Sequence, residues 1–153
     1  MPFDAFYSSD LGRAVSTADV IAAATGRTYE LVPALRERAM GCFEGLTWPE
    51  IQAKYPDHHD AHRADRSVAV PCGESGHEFQ TRIAQACNLL ADRHPGQTIL
   101  AVSHGHVLDI FLRYVLGIPT RQHRPARLPN ASLNIFERHD GHWLMALGGT
   151  PRT

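Results

Sequence analysis

Apolar positions along the 153-residue chain fall into short runs of two kinds, one suited to buried strands and one to amphipathic helices. Phe3 to Tyr7 is an apolar and aromatic run that stops at Ser8-Ser9-Asp10, which predicts a buried strand leading into a helix cap. From Leu11 to Thr25 the positions Leu11, Ala14, Ala18 and Ile21 recur at helical spacing, and Gly26 supplies a stop. Tyr29 to Val32 predicts a second strand. Between Pro33 and Gly45 neither period survives while Arg36, Glu37, Arg38 and Glu44 remain, which predicts a long charged loop of the kind that carries function.

Thr47-Trp48-Pro49-Glu50 has capping-box spacing and predicts a short helix through Tyr55. Ser75-Gly76-His77-Glu78 repeats the device, and Phe79, Ile83, Ala86 and Leu90 then line one face of a long helix up to the Pro95-Gly96 turn. Thr98 to Val102 is a continuous β-favouring run, the pattern of a strand buried on both faces of a parallel sheet. It ends at Ser103-His104-Gly105, after which His106 to Leu116 is helical by pattern and closes with Gly117 and Pro119. Leu133 to Glu137 and His142 to Leu147 flank Asp140-Gly141, a two-residue hairpin signal. Strands alternating with helices predict an α/β fold, a three-layer sandwich with a mostly parallel central sheet.

Composition narrows the picture. At 16.9 kDa the chain is long enough for one domain, and residues 1–153 are read as a single unit. Hydrophobic residues at 43% and charged residues at 20% match a globular protein. A net charge of −1 provides no basic field, so neither nucleic acid nor an anionic membrane is an expected partner. No leader-like or membrane-spanning run is visible, and the default expectation is a cytoplasmic protein. Cys42, Cys72 and Cys87 lack metal or redox spacing and are read as buried or idle thiols.

In open α/β sheets ligands bind beyond the carboxyl ends of the strands. Three candidates fall there. His104 follows the run 98–102, and Gly105 lets a ligand approach the backbone N–H groups at a helix start. Arg13, in the first turn of the first helix, offers a planar fork for phosphate oxygens. Glu37 lies in the charged loop, and a carboxyl near a phosphate dianion favours its protonated form, as a general acid requires. Each also has a plainer reading: a turn that caps a helix, a solvated arginine, a loop ion-pair cluster.

The combination resembles the histidine phosphatase superfamily, the phosphoglycerate mutase-like proteins. Tyr7 to Ala14 with Thr17-Ala18 resembles the segment supplying that family's second phosphate-binding arginine, in the place of Arg13. Leu35-Arg36-Glu37 with Gly41-Cys42-Phe43-Glu44-Gly45 is similar to the family's proton-donor loop, which would make Glu37 the acid. Gly73-Glu74-Ser75 with Glu78 and Arg82 is similar to the element that opens its long helix, and Ser103-His104-Gly105 to the turn bearing its second catalytic histidine. Ser16, where glutamine is usual, and Phe43, where tryptophan is common, depart mildly. The resemblance implies a phosphatase or phosphomutase acting on small phosphorylated metabolites through a phosphohistidine, without metal or cofactor. The phosphatase branch is favoured, and the resemblance names neither the substrate nor the oligomeric state.

That family begins with a strand ending in Arg-His-Gly, whose histidine is the nucleophile, and no Arg-His-Gly occurs in this sequence. The expectation is therefore a domain incomplete at its amino terminus, its first strand missing and Met1 an internal residue of a longer protein. The alternative is a catalytically inactive phosphoanion-binding or interaction module. A third reading starts from His58-His59-Asp60-Ala61-His62, where a helix would place His58 and His62 one turn apart as in metal sites. The cluster lacks the glutamate of a zinc-protease motif and is expected to be an exposed loop, with its neighbours Arg63 and Arg66 near a substrate tail.

Overall fold

The computed structural model describes residues 2–122 and 125–151. Strand β1 (Ala5–Ser8) leads into helix α1 (Gly12–Thr25), and β2 (Glu30–Leu31) into the charged loop. Helices α2 (Trp48–Lys54), α3 (Pro56–Ala64) and α4 (Gly76–Arg93) follow, then β3 (Ile99–Val102), α5 (Gly105–Leu116) and the hairpin β4 (Ser132–His139) and β5 (His142–Pro151). The sheet has the order β2-β1-β3 and is wholly parallel, while β4 and β5 form a separate antiparallel ribbon. This is the expected α/β fold.

Local chemistry accounts for the boundaries. Gly26 and Gly117 end α1 and α5 in the left-handed conformation that glycine adopts without a Cβ penalty. The capping box at Ser75 is complete: the Glu78 N–H donates to Ser75 Oγ at 3.1 Å and Glu78 Oε2 accepts from the Ser75 N–H at 2.8 Å. At the start of α2, Glu50 Oε2 accepts from the Thr47 N–H at 2.7 Å. Asp140 and Gly141, both at positive φ, make the hairpin turn where the dipeptide predicts it. Leu11, not the Ser8-Ser9-Asp10 cluster, caps α1, because Ser8 and Ser9 are buried at the strand end.

Side chains alternate across β1: Phe6 packs with Phe3 and Tyr29, and Tyr7 joins Leu35, Ala86 and Leu90 under α4. All four positions expected to line α4, Phe79, Ile83, Ala86 and Leu90, are buried. Phe79 and Ile83 meet Val107, Ile110 and Phe111 of α5. The hairpin closes this cluster edge-on, with Phe136 and Trp143 at 4.8 and 5.1 Å from the Phe111 ring. Full burial of each large side chain here is worth roughly 1.5–3 kcal/mol.

Three expectations are corrected. The charged loop contains two 3₁₀ turns, Pro33–Leu35 and Gly41–Phe43, and buries Leu35 and Phe43 as anchors. β3 is not buried on both faces: Ala101 is exposed, and Ile99, Leu100 and Val102 are half-buried, because among the described residues β3 pairs with β1 alone. The histidine cluster is helical and only partly exposed. His59 and His62 are buried against Trp48, whose ring stacks on His62 at 6.1 Å, while His58 faces solvent. No described helix is long and apolar enough to cross a membrane. Met1, expected to be an internal residue of a longer protein, lies outside the described residues.

Candidate active site

Parallel pairing brings the carboxyl ends of β1 and β3 side by side, with Tyr7 opposite Ala101 and Ser8 opposite Val102. The register continues one step further, where the Ser9 N–H donates to the Val102 carbonyl at 2.9 Å. Two chain reversals start from this edge, one into α1 and one into α5. His104 is the residue before α5, in extended conformation, and its side chain turns inward and is buried. Its Nε2 lies 2.8 Å from Ser9 Oγ, a hydrogen bond whose direction follows the ring tautomer.

The charged loop is held to the same edge. Ser103 Oγ donates to the Leu35 carbonyl at 2.9 Å. Arg82 of α4 grips Glu74 with both arms of its fork, Nε to Oε1 at 2.7 Å and Nη2 to Oε2 at 2.8 Å, and its Nη1 donates to the Ala34 carbonyl at 2.7 Å. Glu74 Oε2 accepts from the Ala39 N–H at 3.0 Å. Arg38 closes the clamp through the carbonyls of Glu74, Val68 and Arg66. Glu37 sits between these anchors, its Oε1 accepting from the Arg38 N–H at 3.1 Å and its Oε2 from the His106 N–H at 3.3 Å.

The charges of this edge act on one another. Burial lowers the His104 pKa and the Arg13 guanidinium lowers it further, against an opposing pull from Glu37. Burial raises the Glu37 pKa, but the His106 ring and the two N–H donors outweigh it and hold the carboxyl below its ordinary range. Arg13 and Glu37 are thus each within electrostatic reach of His104, although the three come from separate parts of the chain. Gly105 is exposed at the start of α5, and a Cβ placed there would meet nothing within 4 Å. The edge offers a guanidinium, a buried imidazole, an open helix start and a carboxylate, which suits a tetrahedral anion whose substituent oxygen needs a proton.

Three participants escaped the sequence reading: Ser9, taken as part of a cap; His106, taken only as a helix start; and the Glu74–Arg82 fork, taken only as a helix-opening element. Ser9 was legible in principle, as the polar residue just beyond a strand's carboxyl end. His58, His59, His62 and Arg63 belong to α3, and of these His62 lies within electrostatic reach of Arg38 in the clamp.

A model of the histidine phosphatase superfamily (branch 1) matches residues 1–149. The chain belongs to this superfamily. Among its relatives, phosphoglycerate mutase-like protein 4 of Arabidopsis thaliana is 34% identical over 147 residues, covering 94% of this chain and 63% of the relative. The metal-independent phosphoserine phosphatase of the same plant is 34% identical over 145 residues, covering 92% and 59%. This histidine phosphatase chain therefore spans less than two-thirds of the length of these curated relatives. Its fold superimposes on Bacillus stearothermophilus YhfR with a TM-score of 0.90 at 29% identity, over 97% of this chain and 75% of that one. The mycobacterial glucosyl-3-phosphoglycerate phosphatase Rv2419c gives 0.81 at 25% identity, over 97% and 78%.

Proposed function

We propose that this chain is the phosphate-holding and proton-donating part of a phosphomonoester hydrolase acting on small phosphorylated metabolites. The observation that carries the reading is the buried His104, hydrogen-bonded to Ser9 and within electrostatic reach of Arg13 and Glu37 at the carboxyl edge of a parallel sheet. Arg13 neutralises phosphoryl oxygens, His104 hydrogen-bonds to them, and Glu37 protonates the leaving alkoxide and later activates water. Glu37 is held as a carboxylate without ligand, and an incoming phosphate dianion favours its protonation.

The nucleophile of this mechanism is a histidine that the sequence does not contain, and the reading assigns it to a strand of the full-length protein. Among the described residues β3 pairs with β1 alone and its apolar residues Ile99, Leu100 and Val102 are only half-buried, which supports this assignment. If the chain acts alone, the same groups support the second reading, a phosphoanion-binding module without turnover; the absence of Arg-His-Gly from the sequence favours it.

Two measurements test these readings. Titration of inorganic phosphate into the chain should shift the His104 ring and Glu37 carboxyl resonances, and no shift at either group would sink both. Phosphate label from a phosphomonoester should appear as acid-labile phosphohistidine in the protein isolated from its native source. Binding without such label leaves the module reading in place.

A further inference from the structure

Glu37 is not a free carboxylate at the edge of the sheet. Oε1 is taken by the Arg38 N–H, while Oε2 receives the His106 N–H at 3.3 Å and lies 3.4 Å from His106 Nδ1. One residue thus approaches one oxygen twice, from its main chain and from its ring. The arrangement follows from helix geometry: His106 is the second residue of α5, and side chains in a first turn lean back toward the helix start, here over Ser103-His104-Gly105. The Glu37 side chain is 22% exposed and that of His106 59% exposed, so the imidazole is the more solvent-accessible member of the pair.

The surrounding charges leave this pairing to His106. Arg82 of α4 donates at 3.4 Å to the Glu37 main-chain carbonyl and not to its carboxylate. Arg36 is committed to Asp10 at 2.6 and 2.5 Å. Arg38 faces the carbonyls of Arg66, Val68 and Glu74, offering Glu37 only its N–H. His104 is bonded to Ser9, and Glu37 acts on it only through space.

We propose that His106 is the positioning residue of Glu37. It rests on the reading of Glu37 as the acid of the proposed reaction. The main-chain N–H and the ring of this one residue together hold Oε2 in place. As the P–O bond breaks, the Glu37 O–H proton passes to the leaving oxygen, and the carboxylate left behind keeps its contact with His106 and serves as the base that activates water. The two histidines divide the work: buried His104 faces the anion, and exposed His106 fixes the acid.

The experiment follows the side-chain carboxyl ¹³C signal of Glu37 through a pH titration in the chain, H106A and H106Q. Every non-proline residue keeps the N–H at position 106, so H106A removes the ring alone. The expected result is a Glu37 midpoint that rises in H106A and lies between the two in H106Q, which restores a donor without a charge. A midpoint unchanged in both variants, with amide spectra showing an intact fold, overturns the proposal. Inorganic phosphate added to the unaltered chain separates the two readings: if the H106A midpoint rises but phosphate perturbs neither Glu37 nor His104, the pairing stands and the phosphoryl-transfer reading is what fails.

Discussion

His104 Nε2 and Ser9 Oγ meet at 2.8 Å across 95 positions of sequence, both buried, and this bond ties the end of β3 to the end of β1 where α1 and α5 begin. Removing the hydroxyl leaves a buried ring nitrogen without that partner, at a cost of about 1–3 kcal/mol. Ser9→Ala is expected to lower the urea midpoint accordingly and to weaken phosphate binding, since the His104 ring loses its fixed orientation. Equal phosphate affinity in the variant would show that the ring is oriented without Ser9.

Gly105 and Gly41 should respond in opposite ways to an added methyl group. A Cβ on Gly105 meets nothing within 4 Å, so Gly105→Ala is expected to fold with unaltered stability yet bind phosphate less well, because the methyl stands where an anion would approach the start of α5. Gly41 has φ +48, and its Cβ would collide with the Pro71 carbonyl and come within 2.5 Å of the Gly73 nitrogen. Gly41→Ala should therefore destabilise the charged loop severely, by about 2 kcal/mol or more. Denaturation curves and phosphate titrations on the two proteins check both statements.

The Arg82 fork is not replaceable by a single ammonium. Arg82→Lys keeps the charge but loses the paired contact to Glu74 and reaches fewer of the loop carbonyls. The expected cost is about 2 kcal/mol, smaller than for a fully buried pair because both partners keep some exposure. Since the same fork anchors the loop bearing Glu37, the Glu37 carboxyl resonance should also shift. A stability loss with an unmoved Glu37 signal would separate the fork from the site.

Acid should weaken the fold in two steps. Burial lowers the pKa of His62, aided by the charge of Arg38 and opposed by the Val68 carbonyl, and burial and Arg13 lower that of His104. A histidine with a depressed folded pKa contributes stability above its unfolded value of 6.5, and this is lost as pH falls through the folded value. The carboxylates held low, such as Glu74 and Asp65, act only below about 4.5. The urea midpoint should therefore fall between pH 7.5 and 5.5, and His62→Gln should flatten that slope whatever its effect on stability at pH 7.5. An unchanged slope would mean that His62 is protonated equally in the folded and unfolded chain.

Much of this was legible without coordinates because it is local. The 3.6-residue spacing of Phe79, Ile83, Ala86 and Leu90, the paired caps at Ser75 and Glu78, and the Asp140-Gly141 turn each depend on neighbours within a few positions, so the sequence alone determines them. Arg13, His104 and Gly105 could be named as candidates because strand ends and helix starts can be placed from the same patterns, and Glu37 because its charged loop resembles that of a known family. What surrounds a residue could not. The run Thr98 to Val102 is apolar enough for burial on both faces, yet β3 stands half-exposed, since burial depends on whether another segment lies alongside. His59 and His62 are polar by type and core by position, because Trp48 and Phe43 happen to cover them. The bonds of Ser9 to His104 and of Glu37 to His106 span 95 and 69 positions, distances at which chain spacing carries no information about contact. Only the parallel register of β1 against β3 brings the first pair within reach, and only the anchoring of the charged loop by Ser103, Arg38 and Arg82 brings the second.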